Sequence, residues 1–186
     1  MSALTDSLDQ IVNWWRQNIH SIEDIEAEMD DILLPGLSRE QIDQQIQDLP
    51  FGIAEEIYDL YQWHNGMYQP DCLSVTYPLF PDYAIYPLEQ ALRIYDDLIS
   101  IRQLQWSPLW FPILYQECRS YYCTVGNQKD RNSAPIIHFA VVGREKVVYS
   151  SLTEMMNEIA DRYERGTYYV EDGELMVEYS TLSSHQ

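Results

Sequence analysis

The chain has 186 residues and a mass of 22.0 kDa, which fits one domain, and its 46% hydrophobic and 13% aromatic content supplies a core and excludes wholesale disorder. Thirty acidic against 11 basic side chains give a formal charge of −19, which excludes nucleic-acid binding by bulk electrostatics, because neutralising phosphates takes Lys and Arg. No apolar run reaches the ~18 residues of a membrane span, and the start Met1-Ser2-Ala3-Leu4-Thr5-Asp6 lacks the basic and then apolar pattern of a secretory signal.

Helical signals fill the first third. Leu4, Leu8, Ile11, Val12, Trp15 and Ile19 recur at helical spacing. Ile22, Ile25, Met29, Ile32 and Leu33 mark a second helix, capped by Ser21 and ended by Pro35-Gly36. Ser38 with Gln41 predicts a capping box and a short helix carrying Ile42, Ile46 and Leu49. Leu49-Pro50 then opens a helix with Ile53, Ile57, Leu60 and Tyr61 inward, and Asn65-Gly66 closes it, since both tolerate the left-handed conformation. Residues 67–87, with Pro70, Pro78, Pro81 and Pro87, read as a loop holding one short strand near Leu73–Tyr77. Leu88–Leu104 reads as a helix with Leu88, Leu92, Tyr95, Leu98 and Ile99 buried.

The period then changes. Leu109–Tyr115 and Ser120–Val125 predict two strands, the second rich in residues that suit a pleated surface. Gly126–Ala134 is polar and reads as a loop. Pro135–Val142 and Lys146–Ser150 make a hairpin across Gly143-Arg144-Glu145. Ser151 with Glu154 predicts a second capping box, ahead of a helix with Leu152, Met155, Met156, Ile159 and Tyr163 inward and Gly166 at its end. Thr167–Glu171 and Glu174–Tyr179 form a last hairpin around Asp172-Gly173, and Ser180–Gln186 is a frayed tail. Helices, then consecutive strands, then a helix predict an α+β fold: one domain over 1–186, with an antiparallel sheet of about five or six strands covered by helices.

The odd set Cys72, Cys118 and Cys123 does not suggest a disulfide framework, and a reducing cytoplasm is the simplest compartment. His20, His64, His138 and His185 are scattered without ligand spacing, so neither a metal nor another cofactor is expected. The charge is uneven: residues 1–60 hold 14 acidic and two basic side chains, a net of −12. That reads first as a solvated surface, and more sharply as one that steers a basic partner protein.

Six segments stand in a telling order: Leu49-Pro50 with its amphipathic helix, Trp63-His64-Asn65-Gly66, Trp106-Ser107-Pro108, Ser120-Tyr121-Tyr122-Cys123-Thr124-Val125, Pro135-Ile136-Ile137-His138-Phe139 and Ser151-Leu152-Thr153-Glu154-Met155-Met156. Together they resemble the SUKH superfamily, which includes the fungal regulator of cell-wall glucan synthesis and many bacterial toxin-immunity proteins. The likeness spans about 35–165 and rests on the order of the motifs. The chain departs from the pattern at Gln116-Glu117-Cys118-Arg119-Ser120, where a glycine-rich turn is common, and at Met67, in place of a second glycine. The acidic N-terminal helices and the final hairpin are additions to the shared core.

The resemblance implies a non-enzymatic protein-binding domain that neutralises a toxin; the alternative is a regulatory scaffold of the cell-wall type. No phosphate loop or hydrolase motif stands out, and Glu55-Glu56 and Asp96-Asp97, adjacent on helices, read as solvated faces. His64 could be a general base, but a His at this place more often bonds the last helical carbonyls. His138 reads as a hydrogen-bonded strand residue, and Cys118 and Cys123 as small apolar fillers. Tyr and Trp are favoured interface anchors. The expected binding face therefore joins Trp63, His64, Asn65, Gly66 and Tyr68 to Trp110, Tyr121 and Tyr122.

Overall fold

Ser2 opens α1 (Ala3–Asn18): its hydroxyl accepts from the Thr5 amide, and Asp6 lies in the first turn, where the helix dipole favours an anion. The computed structural model describes residues 2–21, 29–68, 83–116, 120–126, 132–141, 145–172 and 174–178. Leu4, Leu8, Ile11, Val12 and Trp15 form the buried face of α1, and Ile19 is buried in the 3-10 turn Ile19–Ser21. The single turn α2 (Met29–Ile32) runs directly into β1 (Leu33–Pro35). Leu33 is therefore strand, not helix, and Leu34 is held extended as the residue before a proline. Ile22 and Ile25 lie outside the described residues.

The Ser38–Gln41 capping box forms as expected and opens α3 (Arg39–Ile46), though only Ile42 of its apolar residues is fully buried. The next helix, α4 (Glu55–Trp63), begins later than Leu49-Pro50, after an irregular stretch that buries Phe51 and Ile53. It does not close on Asn65-Gly66. The backbone turns extended at His64 (φ −149°, ψ 143°) and continues as β2 (His64–Met67), antiparallel to β1. Part of the segment read as a loop supplies β3 (Ala84–Ile85), while the strand expected near Leu73–Tyr77 lies outside the described residues.

α5 (Leu88–Ser100) stops short of Leu104 and buries Leu88, Ala91, Tyr95 and Leu98. Ile99 is 46% exposed: it neighbours Leu98 about 100° around the helix, so both cannot face inward. Tyr95 packs on Phe111 (ring centroids 6.3 Å), which anchors α5 to β4 (Trp110–Gln116). β4 pairs with β5 (Ser120–Val125), which pairs with β6 (Ile136–Ala140), which pairs with β7 (Lys146–Tyr149). With β3 on the other edge, the order is β3-β4-β5-β6-β7, antiparallel throughout.

Ser151 accepts from the Glu154 amide and starts α6 (Leu152–Glu164). The reciprocal half of the box is displaced by one residue: the Glu154 carboxylate takes the amide and hydroxyl of Ser150, which hold it below the usual carboxylate range. Gly166 ends the helix at φ 72°. β8 (Tyr168–Glu171) and β9 (Glu174–Val177) then form a separate hairpin, with Asp172 left-handed at its turn. The architecture is α+β, with a five-stranded antiparallel sheet and two smaller two-stranded sheets.

α1 is locked to α6 rather than trailing from the domain. The Trp15 indole donates to the Tyr163 hydroxyl at 3.0 Å, the Ser7 hydroxyl donates to Asn157 Oδ1, and Trp15, Leu8 and Ile11 join the hydrophobic core.

Candidate functional site

Trp63-His64-Asn65-Gly66 joins the end of α4 to β2 and ties both to α1, β1 and α5, each residue by a different means. The Trp63 indole donates to Asp9 Oδ1 at 2.8 Å, joining α4 to α1. His64 Nδ1 bonds the Leu34 carbonyl at 2.9 Å, across β1 rather than back onto the helix. A carbonyl accepts only, so Nδ1 carries a proton. Asn65 Oδ1 accepts from the Leu88 amide at 2.9 Å and so caps α5, whose own N-cap, Pro87, has no side-chain hydrogen bond to offer. Gly66 is buried at φ 73°, where a Cβ would come within 2.5 Å of the Tyr86 carbonyl carbon and 2.6 Å of the Pro87 nitrogen. It offers no surface to a partner. Tyr68, just past β2, is 55% exposed.

The expected aromatic face divides, because neighbouring strand residues point to opposite sides of a sheet. Tyr121 pairs with Phe139, and both rings pack against Trp106, which also meets Trp110 at 5.6 Å. Tyr121 is buried, and Trp110 is half-buried. Tyr122 pairs with His138 on the other side, where Tyr83 covers it at 4.6 Å. The eight expected contact residues therefore do not share one face.

The Tyr122 side holds the most polar part of the sheet. Ser120 donates to Gln116 Oε1 at 3.0 Å, the Tyr83 hydroxyl meets Ser120 Oγ at 3.1 Å, and it meets His138 Nε2 at 3.0 Å. Ser120 has one hydroxyl proton and spends it on Gln116. Tyr83 therefore donates to Ser120, and His138 donates from Nε2 to Tyr83. Burial pushes the His138 pKa down and the Tyr122 pKa up, so both are neutral near pH 7. Ser120 and His138 are separated by the tyrosine hydroxyl, and the chain of donors runs away from the imidazole. The arrangement fixes side chains and does not activate the serine. Cys123 is buried and its thiol pKa is raised by burial. Among the described residues no His, Cys, Asp and Glu cluster could hold a metal ion.

The acidic pairs are not alike. Asp96 and Asp97 are exposed, as expected. Glu55 forms a two-pronged ion pair with Arg39 (2.7 and 2.8 Å), whose guanidinium also covers the Tyr58 ring at 4.1 Å. Glu56 is not solvated: it is 4% exposed and accepts from the amides of Ala134 and Thr153 and from the Thr153 hydroxyl. Nothing in the local sequence separates Glu56 from Glu55, because its donors lie 78 and 97 residues away.

A groove of about 530 Å3 lies between α1 and the end of α6. Trp14 and Tyr163 form its apolar wall, and Asp6, Asp9 and Glu164 contribute carboxylates. Helical periodicity places Trp14 beside the buried stripe of α1 but gives no sign of the groove, which α6 completes from about 150 residues away.

Comparison with known proteins adds the family. None of the curated proteins matches the chain. The model of the SMI1/KNR4 family (SUKH-1) matches residues 36–158, more than half of the chain, from the residue after β1 through most of α6. That span holds the five-stranded sheet, the Trp63–Gly66 junction and the buried Glu56, and leaves out α1 and the final hairpin. With this fold and this match, the chain belongs to the SMI1/KNR4 family (SUKH-1).

Proposed function

We propose that the protein works by binding rather than by catalysis, and that its partner is a basic protein of the toxin type, which it neutralises. The observation that carries this reading is the concentration of negative charge: −12 of the total −19 falls in residues 1–60. That figure already counts the two cations of the segment, Arg16 and Arg39, which pair locally with Asp30 and Glu55. A field of this kind raises the association rate of a cationic partner and repels anionic ones. Family membership agrees with a binding role, and an odd set of three cysteines suits a reducing cytoplasm.

The test is a tagged pull-down from source-cell lysate at low salt, eluted with a salt step, followed by association kinetics on the released protein. The reading expects one basic protein whose activity the chain inhibits, and an association rate that falls steeply between about 50 and 500 mM salt. Several unrelated partners, none inhibited, would favour a regulatory scaffold instead. A flat salt response would remove the electrostatic argument.

A further inference from the structure

The groove between α1 and α6 has a definite chemistry. Its wall is the Trp14 ring, 4.6 Å from Tyr163, and Tyr163 is itself fixed by the Trp15 indole. Two of its carboxylates are held in place by uncharged donors: Asp9 accepts from the Trp63 indole and Glu164 from the Gln10 amide at 3.3 Å. Among the described residues the neighbouring cations are turned to other acids, Arg16 to Asp30 at 2.7 Å, Arg165 to Asp161 at 3.1 Å and Arg162 to Glu158. The result is an aromatic wall flanked by three negative charges, with no cation among the described residues that line it.

We infer that this groove receives an arginine side chain of the basic partner, its guanidinium lying on Trp14 and donating to Glu164 and to Asp6 or Asp9. Arginine fits better than lysine. A planar, weakly hydrated guanidinium stacks flat on an indole, and its five N–H donors can serve two carboxylates at once. A second copy of the chain does not fit, because a like charge of −19 opposes it. The groove lies outside the segment matched by the family model, since α1 precedes residue 36 and Tyr163 and Glu164 follow residue 158. Its α1 side therefore belongs to what this chain adds to the common core, where a partner-specific contact is expected. The inference rests on the binding reading above and adds the place of docking.

The probe is a capped Gly-Arg-Gly amide titrated into the full chain at low salt, read by the Trp14 indole resonance. The expected result is a saturable shift, with binding of the isosteric citrulline peptide about tenfold weaker and of the lysine peptide about threefold weaker. Glu164→Gln keeps an acceptor for Gln10 and should weaken the arginine peptide about three- to fivefold at unchanged melting temperature; Trp14→Leu should do the same. No saturable shift, equal binding of the arginine and citrulline peptides, or unchanged affinity in both variants would overturn the site, and equal binding of the lysine peptide would overturn the guanidinium assignment. The two readings fail separately. If Glu164→Gln and Trp14→Leu capture the partner as well as the parent chain does, the groove is wrong and the binding module stands. If the parent chain captures no basic protein yet binds the arginine peptide, the groove stands and the toxin-type partner falls.

Discussion

Glu56 on α4 and Thr153 in the first turn of α6 meet through two hydrogen bonds, amide and hydroxyl both donating at 3.1 Å to the same carboxylate oxygen. The other oxygen takes the Ala134 amide at 3.0 Å. One buried acid thus satisfies a free amide at the start of a helix, where the dipole favours an anion, and pins the segment that leads into β6.

Removing that acid should be among the costliest single changes in the chain. Glu56→Ala takes the acceptor from the buried Ala134 amide and from the part-buried amide and hydroxyl of Thr153, and hydrogen bonds to a charged acceptor are worth the most, so the expected loss is about 3 kcal/mol. Glu56→Gln keeps one good acceptor but turns an NH2 toward amide donors, and should lose roughly half as much. Urea unfolding followed by circular dichroism measures both. A Glu56→Ala chain as stable as the parent would show that the carboxylate is dispensable.

Gly66 should tolerate no side chain. Its φ of 73° alone costs an alanine about 2 kcal/mol, and the added Cβ would strike the backbone at Tyr86 and Pro87, which cannot rotate away. Gly66→Ala should therefore fail to fold or melt far below the parent. Gly166, also left-handed at φ 72° but with nothing within 4 Å of an added Cβ, is the matched control. If the two alanine variants melt alike, the close approach is not what constrains Gly66.

What the sequence makes legible follows from the range of the forces involved. α1, α3, α6 and strands β4 to β7 carry their period and their caps within a few residues, so Leu8, Ser38 and Ser151 can be placed from their neighbours. The edges of helices go wrong where a distant partner decides them. The His64–Met67 strand exists because β1 lies alongside, and β3, only two residues long, has no period to detect. The site is harder still. Asn65 reads as a helix end because its real client, the Leu88 amide, is 23 residues on. Tyr121 and Tyr122 read as one aromatic patch, although the pleat must send them to opposite sides. The fold class survives these errors because it depends on the sum of the elements and not on any boundary.

The aromatic residues expected at the binding face should now separate by alanine substitution. Tyr68→Ala removes a side chain that is 55% exposed and leaves the hydrogen bond from its backbone N–H to the Ile32 carbonyl intact, so stability should change by no more than about 0.5 kcal/mol. Trp110→Ala strips a ring packed against Trp106 and Phe139 and should cost about 2 kcal/mol. Only Tyr68→Ala can thus report on partner binding without a folding effect. Thermal melts check the split: a Tyr68→Ala chain that loses several degrees would place that ring in the core.

His138 sets one leg of the stability profile against pH. Burial lowers its pKa in the folded state below the ordinary value of 6.5. Between those two values the unfolded chain binds more protons than the folded one, so stability rises with pH there. The contribution is complete above about pH 6.5 and is lost as pH falls through the folded-state pKa. Protonation also places a second N–H on a ring that packs against Tyr122 at 5.0 Å, in surroundings that disfavour charge. His138→Gln keeps a donor for the Tyr83 hydroxyl and cannot titrate. Its stability should run flatter than the parent's from pH 6.5 downward until the carboxylates begin to protonate; a carboxylate such as Glu154, whose folded-state pKa is lowered, loses its contribution as pH falls from the ordinary value toward the folded one. Urea midpoints taken at half-unit steps between pH 5 and 8 test this, and parallel curves for parent and variant would show that His138 carries none of the pH dependence.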